Sequence, residues 1–399
     1  MSRIVFTDFR SDGHQFEVTV ERDDAPTETV RFEAPAAVSF GHDLIAHALS
    51  TLAARKYSDV HFDFPVSAAC LGRIQPFTLC LPTAAAPAEE ERWARNETGV
   101  TLSFSGGFDS LAALALMPGD TSLVSLDFGG QFARERRGFT SFDPIIIGTN
   151  LTETSLRSTS WSFMGIGAIL TAKTTGSRYM TFGAILDQTA DSFAKPPPYT
   201  RNRTFPAFSA CGFVNAPYVM GITELGTARI IAQAYPDKAR DALLSLSSPN
   251  AEKFARKGLL LQYYEKQFGL SLDLPEIRFL DRPTYKFGEL MGGDTMSPWY
   301  IREYGAENAA KMTAEIPARA HEIARTRSLA FLEKYNQSFY QDFPAVLKPG
   351  LEAALRRYRM EPYDATDQAD FDAVGDMLAL RYEISGRAAP APKDDADPA

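Results

Sequence analysis

The fold of this chain is indicated most clearly by Thr101-Leu102-Ser103-Phe104-Ser105-Gly106-Gly107-Phe108-Asp109-Ser110, which leads at once into the apolar run Leu111-Ala112-Ala113-Leu114. The residues before Ser105 predict a buried strand, the two glycines predict a tight loop, and the run after Ser110 predicts a helix. The first turn of a helix has unpaired N–H groups and the positive end of the dipole, and glycines let an anion approach the backbone closely. The stretch therefore predicts a phosphate-binding junction.

The polar side chains of residues 105–110, called the phosphate loop below, suit the same ligand. Hydroxyl groups of Ser105 and Ser110 can donate to phosphate oxygens, and Asp109 can either cap the helix or coordinate a cation such as Mg²⁺ held by those phosphates. We predict that Ser105, Asp109 and Ser110 are catalytic, and that the whole loop, Phe108 included, binds the nucleotide. The alternative is a serine-rich turn that binds no ligand.

Strands and helices alternate after the loop, which predicts an α/β fold with a parallel, Rossmann-like sheet. The predicted strands are residues 100–104, 122–126, 144–147 and 179–182, and the predicted helices are residues 110–117 and 159–175. Before the loop, we predict a helix at residues 43–54, a linker at residues 82–91, and strands at residues 16–20, 29–32, 60–64 and 77–81. Four regions follow: an N-terminal α+β domain (1–95), the nucleotide-binding α/β domain (96–280), a helical C-terminal region (281–385) and a disordered tail (386–399).

Composition excludes several classes of protein. The chain has 399 residues, a formal net charge of -9 and three cysteines. Such a charge repels nucleic-acid phosphates, so we expect no nucleic-acid partner. Apolar runs such as residues 161–170 are too short to cross a membrane, and the N-terminal residues lack a signal-peptide pattern. We therefore expect a cytoplasmic protein with a small-molecule substrate, and a homo-oligomer is compatible with the sequence.

The motif Ser-Gly-Gly-x-Asp-Ser at residues 105–110 resembles the signature of the PP-loop ATP pyrophosphatases. Residues 122–130 look like the second strand of that superfamily, and Gly148-Thr149-Asn150 follows a third strand. Within it, residues 98–265 are most similar to 7-cyano-7-deazaguanine synthase and related proteins. The resemblance implies ATP and Mg²⁺ as cofactors, and a ligase that adenylates a carboxylate or amide, releases pyrophosphate and forms an amide or another C–N bond.

Two departures from this family affect the prediction. The segment at residues 245–258, where the resemblance implies a zinc-binding cysteine cluster, contains no cysteine, so we expect no zinc. The family's Thr-Lys pair is replaced by Thr223-Glu224, which leaves the acceptor substrate unidentified. The alternative function is therefore a catalytically degenerate regulatory or scaffold protein that still binds a nucleotide.

Further candidate residues follow the strands. Asp127 could face the ribose or the metal, or it could only start the turn Asp127-Phe128-Gly129-Gly130. Gly183 could let the adenine approach the backbone, or it could serve a tight turn. In the long proline-rich segment 188–217, Lys195, Arg201 and Arg203 could bind an anionic group of the acceptor or only keep the loop soluble. We interpret the basic cluster at residues 134–137 as a solvated surface.

Overall fold

The structure is a computed structural model, and it describes residues 2–196 and 202–387. The chain divides into two compact units. The first unit comprises Met1–Gly183, Arg203–Tyr218 and Pro344–Gly350, and it contains the phosphate loop. The second unit comprises Ala184–Asn202, Val219–Phe343 and Leu351–Ala399.

A mixed sheet of ten strands forms the centre of the first unit, in the order β10-β9-β6-β7-β8-β3-β2-β1-β4-β5. Its strands are β1 Arg3–Ser11, β2 Gln15–Arg22, β3 Ala25–Glu33, β4 Asp59–Ser67, β5 Thr83–Ala88, β6 Asn96–Ser103, β7 Ser122–Asp127, β8 Ile145–Thr149, β9 Ser177–Thr181 and β10 Val214–Asn215. Strands β6 to β10 pair in parallel, as do β1 with β4 and β4 with β5. The pairs β1–β2, β2–β3 and β3–β8 are antiparallel.

Helices cover this sheet and complete the core of the first unit. They are α1 His42–Ala53, α2 Ala68–Thr78, α3 Phe108–Leu116, α4 Ala133–Thr140, α5 Ile166–Leu170, α6 Ala172–Thr175 and α7 Pro206–Ala210. Consecutive residues of β6, namely Val100, Thr101 and Leu102, are all buried. Because successive side chains of a strand point to opposite faces, β6 is covered on both sides, as a parallel sheet requires.

The second unit is mainly helical. Its helices are α8 Glu224–Ala234, α9 Ala239–Leu246, α10 Glu252–Phe268, α11 Met291–Tyr304, α12 Ala306–Met312, α13 Ala318–Thr326 and α15 Ala365–Leu378, and α14 Lys348–Arg357 starts in the first unit and ends in the second. The short strands β11 Tyr285–Lys286 and β12 Thr313–Ala314 pair in parallel.

The predicted α/β class is confirmed at the level of a large, mostly parallel sheet with many helices. The division of the chain differs from the predicted domains. The boundary expected near residue 95 falls within one sheet, because Phe32 and Glu33 of β3 pair with Thr149 and Gly148 of β8. Residues 219–280, which we assigned to the nucleotide-binding domain, belong to the second unit.

Three local predictions before and after the loop are wrong. Residues 77–81 are not a strand, because α2 extends to Thr78 after Ser67 caps its first turn by accepting the N–H of Cys70 at 3.0 Å. The expected linker contains β5, which pairs with β4. The helix expected over residues 159–175 is broken: 3₁₀ turns precede Ile166, and Thr171, whose hydroxyl donates to the Gly167 carbonyl at 2.9 Å, separates α5 from α6.

The predicted disordered tail lies outside the described residues, apart from Gly386 and Arg387. The Arg387 side chain pairs with Asp372 at 2.8 Å and with Asp376 at 2.6 Å, and it is almost fully buried. Within residues 2–196 and 202–387, we find no helix with the length and apolar character needed to cross a membrane.

Candidate functional site

The phosphate loop joins a strand to a helix as the sequence predicts. Strand β6 ends at Ser103, and α3 begins at Phe108 after the N-cap residue Gly107. Glycine has no side chain to accept a hydrogen bond from the first helical turn, so the positive end of α3 is not capped by its own N-cap residue. A helix of this length beginning directly after a buried strand provides the dipole that favours an anion.

Two serine hydroxyls hold the loop in one conformation. The Oγ atoms of Ser105 and Ser110 lie 3.1 Å apart. Ser105 Oγ also accepts the N–H of Gly107 at 3.3 Å, and Ser110 Oγ donates to the Gly107 carbonyl at 2.9 Å. Ser110 is buried and Ser105 is exposed, so the outer hydroxyl faces solvent while the inner one supports it. The loop is therefore ordered by its own side chains.

Glycines fix the loop backbone from two sides. Gly106 has φ +71°, and a Cβ there would lie 2.8 Å from the amide nitrogen of Phe139 in α4. Gly183 follows β9, and a Cβ there would lie 2.5 Å from the amide nitrogen of Ser110. Real side chains do not tolerate contacts this short with backbone atoms, so both positions require glycine. Gly183 therefore serves a close approach of two backbones, which neither of our sequence-based interpretations anticipated.

Asp127 stands at the carboxyl end of β7, beside the loop. Its Oδ1 accepts the N–H of Gly129 at 3.0 Å, so it does start the predicted turn. Its Oδ2 accepts from Arg136 Nη1 at 2.8 Å. Strands β6 and β7 pair in parallel, with Ser103 opposite Val124. The carboxyl ends of both strands therefore lie at one edge of the sheet. Asp127 is thus engaged by a turn and by a guanidinium group.

An aromatic surface lies at the same edge. The Trp161 indole is 50% exposed, and its ring centroid is 4.8 Å from that of Phe205 and 5.7 Å from that of Phe182. Phe182 directly precedes Gly183, and Ser103 Oγ donates to the Met164 carbonyl at 2.7 Å, which attaches this segment to the end of β6. An exposed aromatic face can stack on a planar ring such as a nucleotide base. Sequence reasoning missed Trp161, since its only signal was an aromatic residue within an apolar run.

The three basic residues proposed for the acceptor are not brought together by any described contact. Lys195 belongs to the second unit, where its ammonium group lies 3.2 Å from Asp372 Oδ1. Arg203 is an exposed residue of the first unit. Arg201 lies outside the described residues. Their role in binding an acceptor remains a prediction.

Glu224, at the position where the family resemblance implies a lysine, is a buried ion-pair residue of the second unit. Its carboxylate accepts from Arg256 Nη1, and Lys257 Nζ lies 2.7 Å from Oε1. Burial by itself would raise the pKa of Glu224, but Arg256 and Lys257 outweigh it and lower this pKa to about 2. The negative charge of Glu224, which stands where the resemblance implies a lysine, is therefore neutralised by two buried cations.

Ordinary metal ligands do not cluster in the part of the chain that the structure describes. There, no group of three or more His, Cys, Asp or Glu side chains could hold a metal ion. Cys70, Cys80 and Cys211 are free and buried. Burial raises the pKa of Cys70 and Cys211, which keeps these thiols protonated, and burial lowers the pKa of His47 to about 3.

Comparison of this chain with protein-family models, with curated proteins and with solved structures gives no match. The functional assignment therefore depends on the residues and on the geometry of the loop.

Proposed function

We propose that this protein binds ATP with Mg²⁺ at the phosphate loop and adenylates a small-molecule carboxylate or amide. The observation that carries the proposal is the ordered loop itself: Ser105 and Ser110 are joined at 3.1 Å, and Gly106 and Gly183 permit backbone contacts that any other residue would block. Because the loop is already ordered, binding of a triphosphate does not cost the conformational entropy of ordering the loop.

The loop residues would share the binding of the nucleotide. Ser105, Gly106, Gly107 and Ser110 would hold the β- and γ-phosphates, and Asp109, in the first turn of α3, would hold Mg²⁺ together with those phosphates. The ion would supply positive charge against the departing pyrophosphate. The exposed face of Trp161 is available for the base at the same edge of the sheet.

The proposed reaction has two transfers. An oxygen of the acceptor attacks the α-phosphorus, the bond from that phosphorus to the bridging oxygen breaks, and pyrophosphate leaves with the bonding electron pair. Ammonia or an amine then attacks the acyl carbon, AMP leaves, and the nitrogen loses a proton to solvent. Arg203, an exposed basic residue of the same unit as the loop, would bind an anionic group of the acceptor and offset its repulsion from the triphosphate.

Calorimetric titration with MgATP tests the nucleotide site. We expect Asp109→Ala and Ser105→Ala to bind MgATP about tenfold more weakly than wild type, because each removes a charged or hydroxyl contact. Asp120→Asn is the matched control, since Asp120 is exposed in the turn that follows α3. Failure of wild-type protein to bind ATP at millimolar concentration, or equal affinity in all three variants, would refute the site.

Exchange of labelled pyrophosphate into ATP, measured with a panel of carboxylated metabolites, tests the chemistry. Acceptor-dependent exchange supports adenylation, because it requires reversible formation of the acyl adenylate. ATP binding without exchange for any acceptor would instead favour the alternative of a nucleotide-binding regulatory protein.

A further inference from the structure

Helix α4 lies directly on the phosphate loop. The position that a Cβ of Gly106 would occupy is 2.8 Å from Phe139 N and 2.9 Å from the carbonyl carbon of Gly138. The Phe104 and Phe142 rings meet edge to face, with centroids 5.3 Å apart. The arginines of the cluster at residues 134–137 are exposed, as we expected of a solvated surface, and the helix that carries them is packed against the candidate nucleotide site.

One arginine of this helix reaches the end of the strand beside the loop. Arg136 Nη1 lies 2.8 Å from Asp127 Oδ2. Ser103, the last residue of β6, pairs with Val124 of β7, and Phe104 N–H donates to the Val124 carbonyl at 2.8 Å. Asp127 ends β7 three residues further on, so it lies at the sheet edge where the loop leaves β6. The Arg136 side chain is 59% exposed, whereas that of Asp127 is 11% exposed. The guanidinium group is thus oriented by a largely buried carboxylate and remains accessible to solvent.

The elements that carry the loop have no basic residue of their own. From residue 96 to residue 133 the sequence contains no lysine or arginine, although this range includes β6, the loop, α3 and β7. A triphosphate carries several negative charges, and backbone N–H groups alone leave them only partly neutralised. The first basic residues that follow the loop in the sequence are those of α4, and the fold packs this helix against the loop.

We propose that Arg136 binds the oxygens of the β- and γ-phosphates, and that Asp127 is its positioning residue. This inference rests on the proposed function of the loop. A guanidinium has five N–H donors in a planar fork, so it can keep one contact with Asp127 while it donates to phosphate oxygens. The same contact would stabilise the negative charge that develops on departing pyrophosphate.

The test is calorimetric titration of the full chain with MgATP, magnesium pyrophosphate and AMP. We expect Arg136→Gln to weaken ATP and pyrophosphate binding about tenfold and to leave AMP binding unchanged, because AMP lacks the phosphates that Arg136 would contact. Arg136→Lys should recover part of the loss, and Asp127→Asn should cause a smaller loss in the same two ligands. Retained thermal unfolding midpoints would show that the variants fold.

Arg31→Gln is the control with the same change of charge. Arg31 belongs to the same unit, is also 59% exposed and pairs with Glu17 at 2.9 Å. Two results would overturn the role of Arg136 while leaving the loop assignment intact. One is equal ATP affinity in Arg136→Gln and Arg31→Gln. The other is that Arg136→Gln weakens AMP binding as much as it weakens ATP binding. Absence of ATP and pyrophosphate binding in wild type would overturn both.

Discussion

The Cα of Gly183 lies so close to the backbone of Ser110 that a methyl group on it would come within 2.5 Å of the Ser110 amide nitrogen. Gly183 follows β9 and Ser110 belongs to the first turn of α3, so this contact connects the end of β9 to the helix that follows its parallel neighbour β6, at the edge where the phosphate loop lies. The start of α3 cannot move toward β9 without a clash, which holds the loop in its present position.

Replacement of Gly183 by alanine should therefore disturb both stability and nucleotide binding. We expect Gly183→Ala to lower the free energy of unfolding by about 2 kcal/mol, because the added methyl group overpacks backbone atoms that have no rotamer to adjust. Urea denaturation measures this change, and titration with MgATP should show weaker binding. Gly119→Ala is the control, since no atom lies within 4 Å of a Cβ at Gly119. Equal stability of the two variants would contradict the prediction.

The raised pKa of Asp294, in the second unit, should make the stability of the protein depend on pH. Its Oδ2 accepts from Gly288 N–H at 2.7 Å and from the Tyr382 hydroxyl at 2.5 Å, while burial raises the pKa of Asp294 to about 6 despite these bonds. Glu289 adds repulsion in the same direction. Because this pKa is above the ordinary value of 3.8, the folded chain holds a proton that the unfolded chain releases. The stabilisation is complete below about pH 4 and is lost as the pH rises through 6.

Asp294→Asn tests this relation, because the amide stays neutral at every pH used. Between pH 4.5 and pH 7.5, wild type should lose about 1–2 kcal/mol more unfolding free energy than Asp294→Asn does. Urea denaturation at several pH values, with Asp241→Asn on the exposed surface of α9 as the control, gives the comparison. Parallel pH profiles for wild type and Asp294→Asn would mean that Asp294 does not hold the extra proton.

The three cysteines should carry no zinc. Each is buried, and each thiol is close enough to donate to a neighbouring oxygen: Cys70 to the Asp43 carbonyl, Cys80 to Thr78 Oγ1 and Cys211 to the Ala207 carbonyl. Zinc needs deprotonated thiolates, and burial raises the pKa of the Cys70 and Cys211 thiols. Elemental analysis of the purified protein should therefore find no stoichiometric zinc. One tightly held zinc per chain would contradict this prediction, because it would show that the chain binds zinc without the cysteine cluster that the family resemblance implies.

Glu91 should contribute to the stability of α1 from outside that helix. The N-cap residue Gly41 has no side chain to cap the helix, and Glu91 Oε1 instead accepts the Asp43 N–H at 3.3 Å. Because this carboxylate replaces a missing cap, we expect Glu91→Ala to cost about 1 kcal/mol in unfolding free energy. Glu89→Ala, two residues earlier and exposed, is the control in the same denaturation experiment. An equal effect of the two substitutions would exclude the capping role.

Short-range patterns predicted the strand, loop and helix around Ser105 correctly. The buried strand, the glycine pair and the alanine-rich run each favour their conformation through neighbours in sequence, so local physics is sufficient. The same kind of pattern failed at residues 77–81, where the apolar alternation resembles a strand. There the cap at Ser67 and the packing of Ile74 and Phe77 in the core favour a helix instead.

The sequence by itself therefore determined the α/β class and the strand, loop and helix around Ser105, because both depend on periodicity and on turn chemistry within a few residues. Only the tertiary structure decided that β3 pairs with β8, that Gly183 packs on Ser110, and that Arg136 of a helix read as surface pairs with Asp127 beside the loop. These contacts join segments that are separate along the chain. Their free energy comes from burial and from paired charges that exist only after the sheet has assembled.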